Sequence, residues 1–212
     1  MTIFSIINST AVLPTQIMEN ATITIEDGVI IDIAENGAAT ERYVNAEGAI
    51  CMPGIIDSHS DGFEMEPRPR PSVRLPLDFS IQSFEAKVRA AGVTTLFHGI
   101  GFENDGNRTV ESANAYVDII HEYSSSPTVM MNHRVLYRLD ARDADGFNAL
   151  CARIESDRQI DAKPLVSFED HTPGQGQYRD RTYLENWIMG SRNMTREEAV
   201  AHVDQILIER EA

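Results

Sequence analysis

Cysteine is nearly absent from this chain: Cys51 and Cys151 are the only two. Both sit in apolar stretches, so they read as buried thiols of a reducing compartment and not as a disulfide scaffold. No apolar run approaches the roughly 18 to 20 residues that a membrane-spanning helix needs. The opening Met1-Thr2-Ile3-Phe4 carries no basic segment, so no secretory signal is expected and the expected location is cytoplasmic. Basic residues are scarce: 18 Lys and Arg stand against 33 Asp and Glu, a formal net charge of −15. That balance opposes nonspecific contact with nucleic acid. It also requires any polyanionic ligand to be met by a local cluster of cations. What is present, 42% hydrophobic residues over a length of 212, fits one large globular domain or a small one plus a larger one.

The run Ala49-Ile50-Cys51-Met52-Pro53-Gly54-Ile55-Ile56 is the most apolar segment next to reactive groups. It reads as a buried strand that empties into Asp57-Ser58-His59-Ser60-Asp61. Alternation along a strand puts Asp57, His59 and Asp61 on one face. An imidazole and carboxylates at a strand exit supply N and O donors for a divalent metal. The plainer alternative is a turn-capping histidine between solvated acids.

Ahead of this run, residues 3–45 read as short strands: Ser5-Ile6-Ile7, Ala11-Val12-Leu13, Ala21 to Ile25 and Val29 to Ile33. Glu26-Asp27-Gly28 and Glu35-Asn36-Gly37 are their turns. After it, strands and helices alternate. A helix is expected from about Ser80, with Ile81, Phe84, Val88 and Ala91 on one stripe and Gly92 as its stop. Val93 to Phe97 is the next strand. A helix from about Thr109 to Tyr123 turns Val110, Ala113, Val117 and Ile120 inward. A strand within residues 128–139, a helix over 144–154 and a strand over 165–168 follow. A helical stretch begins near Asp180, and Thr195 to Glu198 is a capping box opening the last helix.

Further candidates lie along these elements. Glu66-Pro67-Arg68-Pro69-Arg70-Pro71, with Arg74 beyond, is a stiff cationic loop. Proline holds it extended, and Arg68 and Arg70 present forks that match phosphate oxygens; a solvated linker is the alternative. His98 follows the second strand of the alternating series. His133, Arg134, Arg138 and Asp140 occupy the third. Asp170-His171 ends the fourth, and Pro173-Gly174-Gln175-Gly176-Gln177 forms a loop able to approach phosphate. His121 and His202 fall on helices and read as surface residues.

Taken in order, Pro53-Gly54, Asp57-x-His59-x-Asp61, the Pro-Arg-Pro loop, Gly92-Val93-Thr94-Thr95, His133-Arg134 and Asp170-His171-Thr172-Pro173-Gly174-Gln175 resemble the amidohydrolase superfamily. Within it they are most similar to the alpha-D-ribose 1-methylphosphonate 5-triphosphate diphosphatases of phosphonate catabolism. The resemblance implies a small β-sandwich followed by a (β/α)8 metal-dependent hydrolase barrel. Such a barrel typically takes about 250 residues. About four β/α units are present, so the expected fold is α/β: residues 1–48 as part of the sandwich and 49–212 as half of the barrel. The resemblance implies His59 and Asp61 as metal ligands, with His171 and Asp140 as further candidates and Asp57 as a support. It implies one or two divalent ions, with zinc the leading choice. Substrate contacts fall to Arg68, Arg70, Arg134, Arg138, Gly174, Gln175 and Gln177. An acidic residue is expected where His98 stands, and a second histidine where Leu136 stands. The general base belongs to later strands.

The implied reaction releases pyrophosphate from a phosphorylated small-molecule substrate. An amide or cyclic-amide hydrolase shares the same first-strand motif, and a non-catalytic truncated product is the third reading. A half barrel leaves open sheet edges, so association with a second half or with another copy is expected.

Overall fold

In a computed structural model the chain divides after Gly54 into two compact units. The structure describes residues 2–70, 72–104, 108–141, 143–160, 163–170, 172–174 and 176–211.

The first unit is one five-stranded sheet. β1 (Ile3–Val12), β2 (Ile17–Glu26) and β3 (Val29–Glu35) form antiparallel pairs, while β4 (Tyr43–Asn45) and β5 (Ile50–Cys51) run parallel to β1. The two short strands expected over residues 5–13 are thus one long strand. Register shifts around Ser9 break its alternation, which split the pattern in the sequence. The Asp27-Gly28 turn has φ values of 46° and 84°, the left-handed pair that a two-residue hairpin requires. Ala11, Ala21 and Ile23 are the buried centre of this sheet.

The apolar run is not one buried strand. Ile50 and Cys51 pair with β1, and a new strand, β6 (Ile55–Ser60), starts after Met52-Pro53-Gly54. Proline removes a ladder donor, so the break falls there. This moves the unit boundary from residue 48 to 54. Ile55 and Ile56 are 45% and 66% exposed, because β6 is an edge of its sheet. Cys51 is half-buried and Cys151 exposed; both are free thiols. The buried-thiol reading therefore fails, since Cys151 lies on the outer side of its helix.

The second unit is a parallel sheet in the order β6, β7 (Val93–Gly101), β8 (Asn132–Asp140), β9 (Leu165–Glu169). Its helices are α1 (Gly62–Met65), α2 (Leu77–Ala90), α3 (Val110–Ser124), α4 (Ala144–Asp157), α5 (Arg181–Arg192) and α6 (Arg196–Glu211). The main core lies between the sheet and α2–α4. Ile81, Phe84, Val117 and Ile120 from the helices meet Leu96, Ile100 and Tyr137 from the strands.

The helix boundaries follow local chemistry. Thr109 and Ser112 cap α3 reciprocally, and Gly92 leaves α2 at φ 88°. The Thr195–Glu198 box opens α6 as expected, with Thr195 N donating to Glu198 Oε2 at 2.8 Å. α5 and α6 pack on each other through Leu184, Ile188, Ala199 and Val203, a small core of their own. Ala91, expected on the buried stripe of α2, is instead its exposed C-cap.

Candidate active site

In a parallel α/β sheet, residues at the C-terminal strand ends are free to face a ligand. Here those ends line a cleft of about 740 Å³. Asp61 follows β6, Arg138 and Asp140 end β8, and Glu169 and Asp170 end β9. Trp187 and Arg192 of α5 and His202 of α6 face them.

His59 and Asp61 come together as expected. His59 Nε2 and Asp61 Oδ1 are 3.2 Å apart, with side chains 44% and 49% exposed. The neighbour on β7 is Gly99, and a Cβ there would fall 2.7 Å from Asp61 Oδ1 and 2.9 Å from Arg138 Cδ. Only glycine leaves space for this convergence. Asp57 does not share their face. It sits opposite Leu96, and a bulge between Asp57 and Ser60 breaks the alternation. Its Oδ1 instead accepts from His59 N at 3.1 Å, which braces the strand end.

Arg138, expected to touch substrate, lines the cleft and is engaged by two carboxylates. Its Nη1 donates to Asp61 Oδ1 at 2.9 Å, and Nε and Nη2 grip the two oxygens of Glu169 at 2.5 and 2.6 Å. Burial opposes its charge, yet Glu169 and then Asp61 hold the guanidinium protonated beyond its usual range. Arg138 therefore positions Asp61.

The donors fit a metal as the beginning of a set. Two ligands on one tetrahedral ion stand roughly 3.4 Å apart, given bonds of about 2.1 Å, close to the His59–Asp61 separation. Among the described residues no group of three or more His, Cys, Asp or Glu side chains is arranged to hold an ion. Asp140 lines the cleft, while His171 lies outside the described residues. Leu136, where a histidine was expected, is a buried apolar side chain two positions before Arg138 on the same strand face.

A second cleft, of about 850 Å³, adjoins the first through Glu103, Arg108, Trp187 and Arg192. Arg68 and Arg70 line it, as does Arg74. Arg134 is exposed near the start of β8 and lines neither cleft, because it lies at the end of the strand opposite the site. Gly174 is exposed at φ 91° in the loop after β9. Gln177 belongs to a 3-10 turn, Gly176–Tyr178, and Gln175 lies outside the described residues.

His98 and His133 belong to the other side of the sheet. Their rings stack 5.1 Å apart, and His98 Nε2 meets His133 Nδ1 at 2.8 Å. His133 Nε2 reaches Glu85 Oε2 at 3.0 Å, and Tyr123 Oη donates to Glu85 Oε1 at 3.1 Å. This chain of groups is buried among the helices and has no access to the cleft. His202, read as a surface residue, is half-buried, accepts from Arg192 Nη1 at 2.8 Å and lines the first cleft.

Sequence reasoning missed Glu64, Glu103, Arg108 and Glu169. Glu64 is buried; burial raises its pKa, and Arg108 and the Gly101 N–H only partly offset this. Arg108 is clamped by Glu64 and Glu103, at 3.0 Å each. The signal for Glu169 was its place at a strand end beside Asp170. Glu64 and Arg108 lie far apart in the chain and carried no local signal.

No family model matches the chain. It is 26% identical over 192 residues to the alpha-D-ribose 1-methylphosphonate 5-triphosphate diphosphatase of Escherichia coli, which covers 90% of this chain and 50% of that protein. The chain thus spans about half the length of the curated relative it matches. Two solved triazine hydrolase variants share the fold, with TM-scores of 0.55 and 0.53 at 14% and 12% identity. They cover 78% and 91% of this chain and 45% and 51% of their own. In sequence and in fold, the chain resembles about half of an amidohydrolase-superfamily enzyme.

Proposed function

We propose that this chain is the first half of a metal-dependent hydrolase that cleaves a phosphoric anhydride in a phosphorylated small molecule. Within this reading we take a ribose 1-methylphosphonate 5-triphosphate, losing pyrophosphate, as the specific substrate. The observation that carries this reading is the junction of two clefts of opposite character. One gathers His59, Asp61, Asp140, Glu169 and Asp170; the other gathers Arg68, Arg70 and Arg74. Carboxylates and imidazole suit a divalent cation, whereas guanidinium groups suit phosphate oxygens.

In this reading His59 and Asp61 hold the divalent ion, with zinc favoured by the N and O donors and Asp140 close by. When bound, the ion supplies Lewis acidity at the phosphoryl group. Arg138 holds the Asp61 carboxylate in place beside His59. Arg68 and Arg70 orient the polyphosphate and offset its charge. An amide hydrolase would use the first cleft and leave the arginines without a task. The substrate is the expected small-molecule partner, and a second barrel half or a second copy is the expected protein partner.

Zinc titration of the chain by calorimetry tests the first step. Saturable binding that is lost in His59→Asn and Asp61→Asn supports the reading. Equal binding by both variants would remove the metal site. Pyrophosphate release from sugar triphosphates, compared with hydrolysis of N-acyl compounds in the complete barrel, then separates phosphoanhydride from amide chemistry.

A further inference from the structure

Three arginines of the second cleft lack a counterion among the described residues. Arg68, Arg70 and Arg74 make no ion pair with any carboxylate among the described residues, and Arg68 Nε is buried with no hydrogen-bond partner. The only carboxylates lining the cleft among the described residues, Glu64 and Glu103, are both engaged by Arg108. Acidic residues outnumber basic ones in this chain, so excess positive charge in one cleft runs against its overall balance. Like charges gathered without counterions repel, and a bound polyanion removes that cost.

The opposite wall comes from a distant part of the chain. Arg192 closes α5 and lines both clefts, as does Trp187 five residues earlier. His202 Nε2 accepts from Arg192 Nη1 and so fixes the guanidinium. α5 is itself held to α6 by their separate core. Arg192 thus faces the Arg68–Arg74 loop from an element that can be tested independently of it.

We infer that Arg74 and Arg192 are specificity-determining residues that, with Arg68 and Arg70, grip a linear polyphosphate between the loop and α5, while Trp187 marks the passage to the metal-facing cleft. This rests on the phosphoanhydride reading and adds who reads the length of the phosphate chain. Cations on two facing walls favour an extended polyanion over a compact one. The expected order of affinity is therefore triphosphate, then pyrophosphate, then phosphate.

The chain holds a single tryptophan, Trp187, so its emission reports on the passage directly. Inorganic triphosphate titrated in the presence of a chelator should give a saturable change in that emission, weakened by salt. Arg192→Gln and Arg74→Gln should each weaken binding about ten- to a hundredfold, the range for a lost charged hydrogen bond. Arg192→Lys should recover part of the loss, and far-UV circular dichroism should match the parent in every variant. Arg74 is exposed, so its variant tests the idea without risk to folding. If Arg68→Gln/Arg70→Gln abolishes binding while Arg74→Gln and Arg192→Gln bind as the parent does, the inference is wrong and the phosphate reading stands. If triphosphate produces neither an emission change nor heat in calorimetry, both fall. Equal affinity for phosphate and triphosphate would overturn the two-wall grip alone.

Discussion

The two faces of the β7–β8 ladder treat polar groups in opposite ways. On the helix side, Tyr123, Glu85, His133 and His98 form a sealed chain in which nearly every polar atom meets another. On the cleft side, Asp61, Arg138 and Glu169 are also paired, but Asp61 and His59 stay half-exposed. The first arrangement specifies the core, since a buried polar chain holds only if its members are satisfied together. The second keeps donors available to a ligand. The same residue types therefore carry different meanings on the two faces, and a strand-end histidine is a site residue only when its parity is right.

The largest expected effect breaks the sealed face. Burial alone would raise the Glu85 carboxyl, but hydrogen bonds from His133, Met130 N and Tyr123 hold it below the usual carboxylate range. Glu85→Ala strands those three donors. We expect a loss of about 3 to 5 kcal/mol in urea unfolding. A loss below 1 kcal/mol would show that the chain of groups is not sealed.

The next effect is on pH. Burial, and then the neighbouring His133, hold His98 down to about 3. A histidine in the unfolded chain takes its proton near pH 6.5. Between these values the unfolded state binds more protons. The stability due to neutral His98 is fully present above about pH 6.5 and is lost as the pH falls toward 3, by up to about 1.4 kcal/mol per pH unit. His133, lowered chiefly by burial against the pull of Glu85, adds in the same direction. His98→Gln keeps a donor for His133 but removes one titration, so urea midpoints between pH 4.5 and 7 should vary less steeply. An unchanged slope would argue against a neutral buried His98.

The smallest effect on stability belongs to the open face. Gly99→Ala forces a methyl group against Asp61 and Arg138 and should cost about 1 to 3 kcal/mol. Its sharper result is in zinc calorimetry, where affinity should fall with Asp61 displaced. Retained affinity would mean that Asp61 is not a ligand.

Much of this contrast could be read from the residues. The Thr109 cap, Gly92, the β7 run and the His59–Asp61 pair depend on local chemistry, and all appear where the pattern put them. The faces of β8 were also readable in principle: His133 and Arg138 are five positions apart, which places them on opposite sides of a regular strand. Asp57 defeated the same rule because a bulge changed the parity, and nothing local announces that bulge. Arg108, Arg192 and Glu64 gather from separate segments, so only the tertiary fold reveals them. The single apolar run from Ala49 to Ile56 misled because two half-strands, each with its own sheet, abut across Pro53.

One property of the second sheet bears on how such a protein is made. Among the described residues, every strand from β6 to β9 pairs only with its neighbour in chain order. Each β/α unit can therefore dock on the one synthesised before it. The last strand of the described ladder needs nothing beyond Glu169 to find its register. A ribosome delivering residues one at a time could thus lay down this sheet strand by strand, with the growing edge always the most recently emerged.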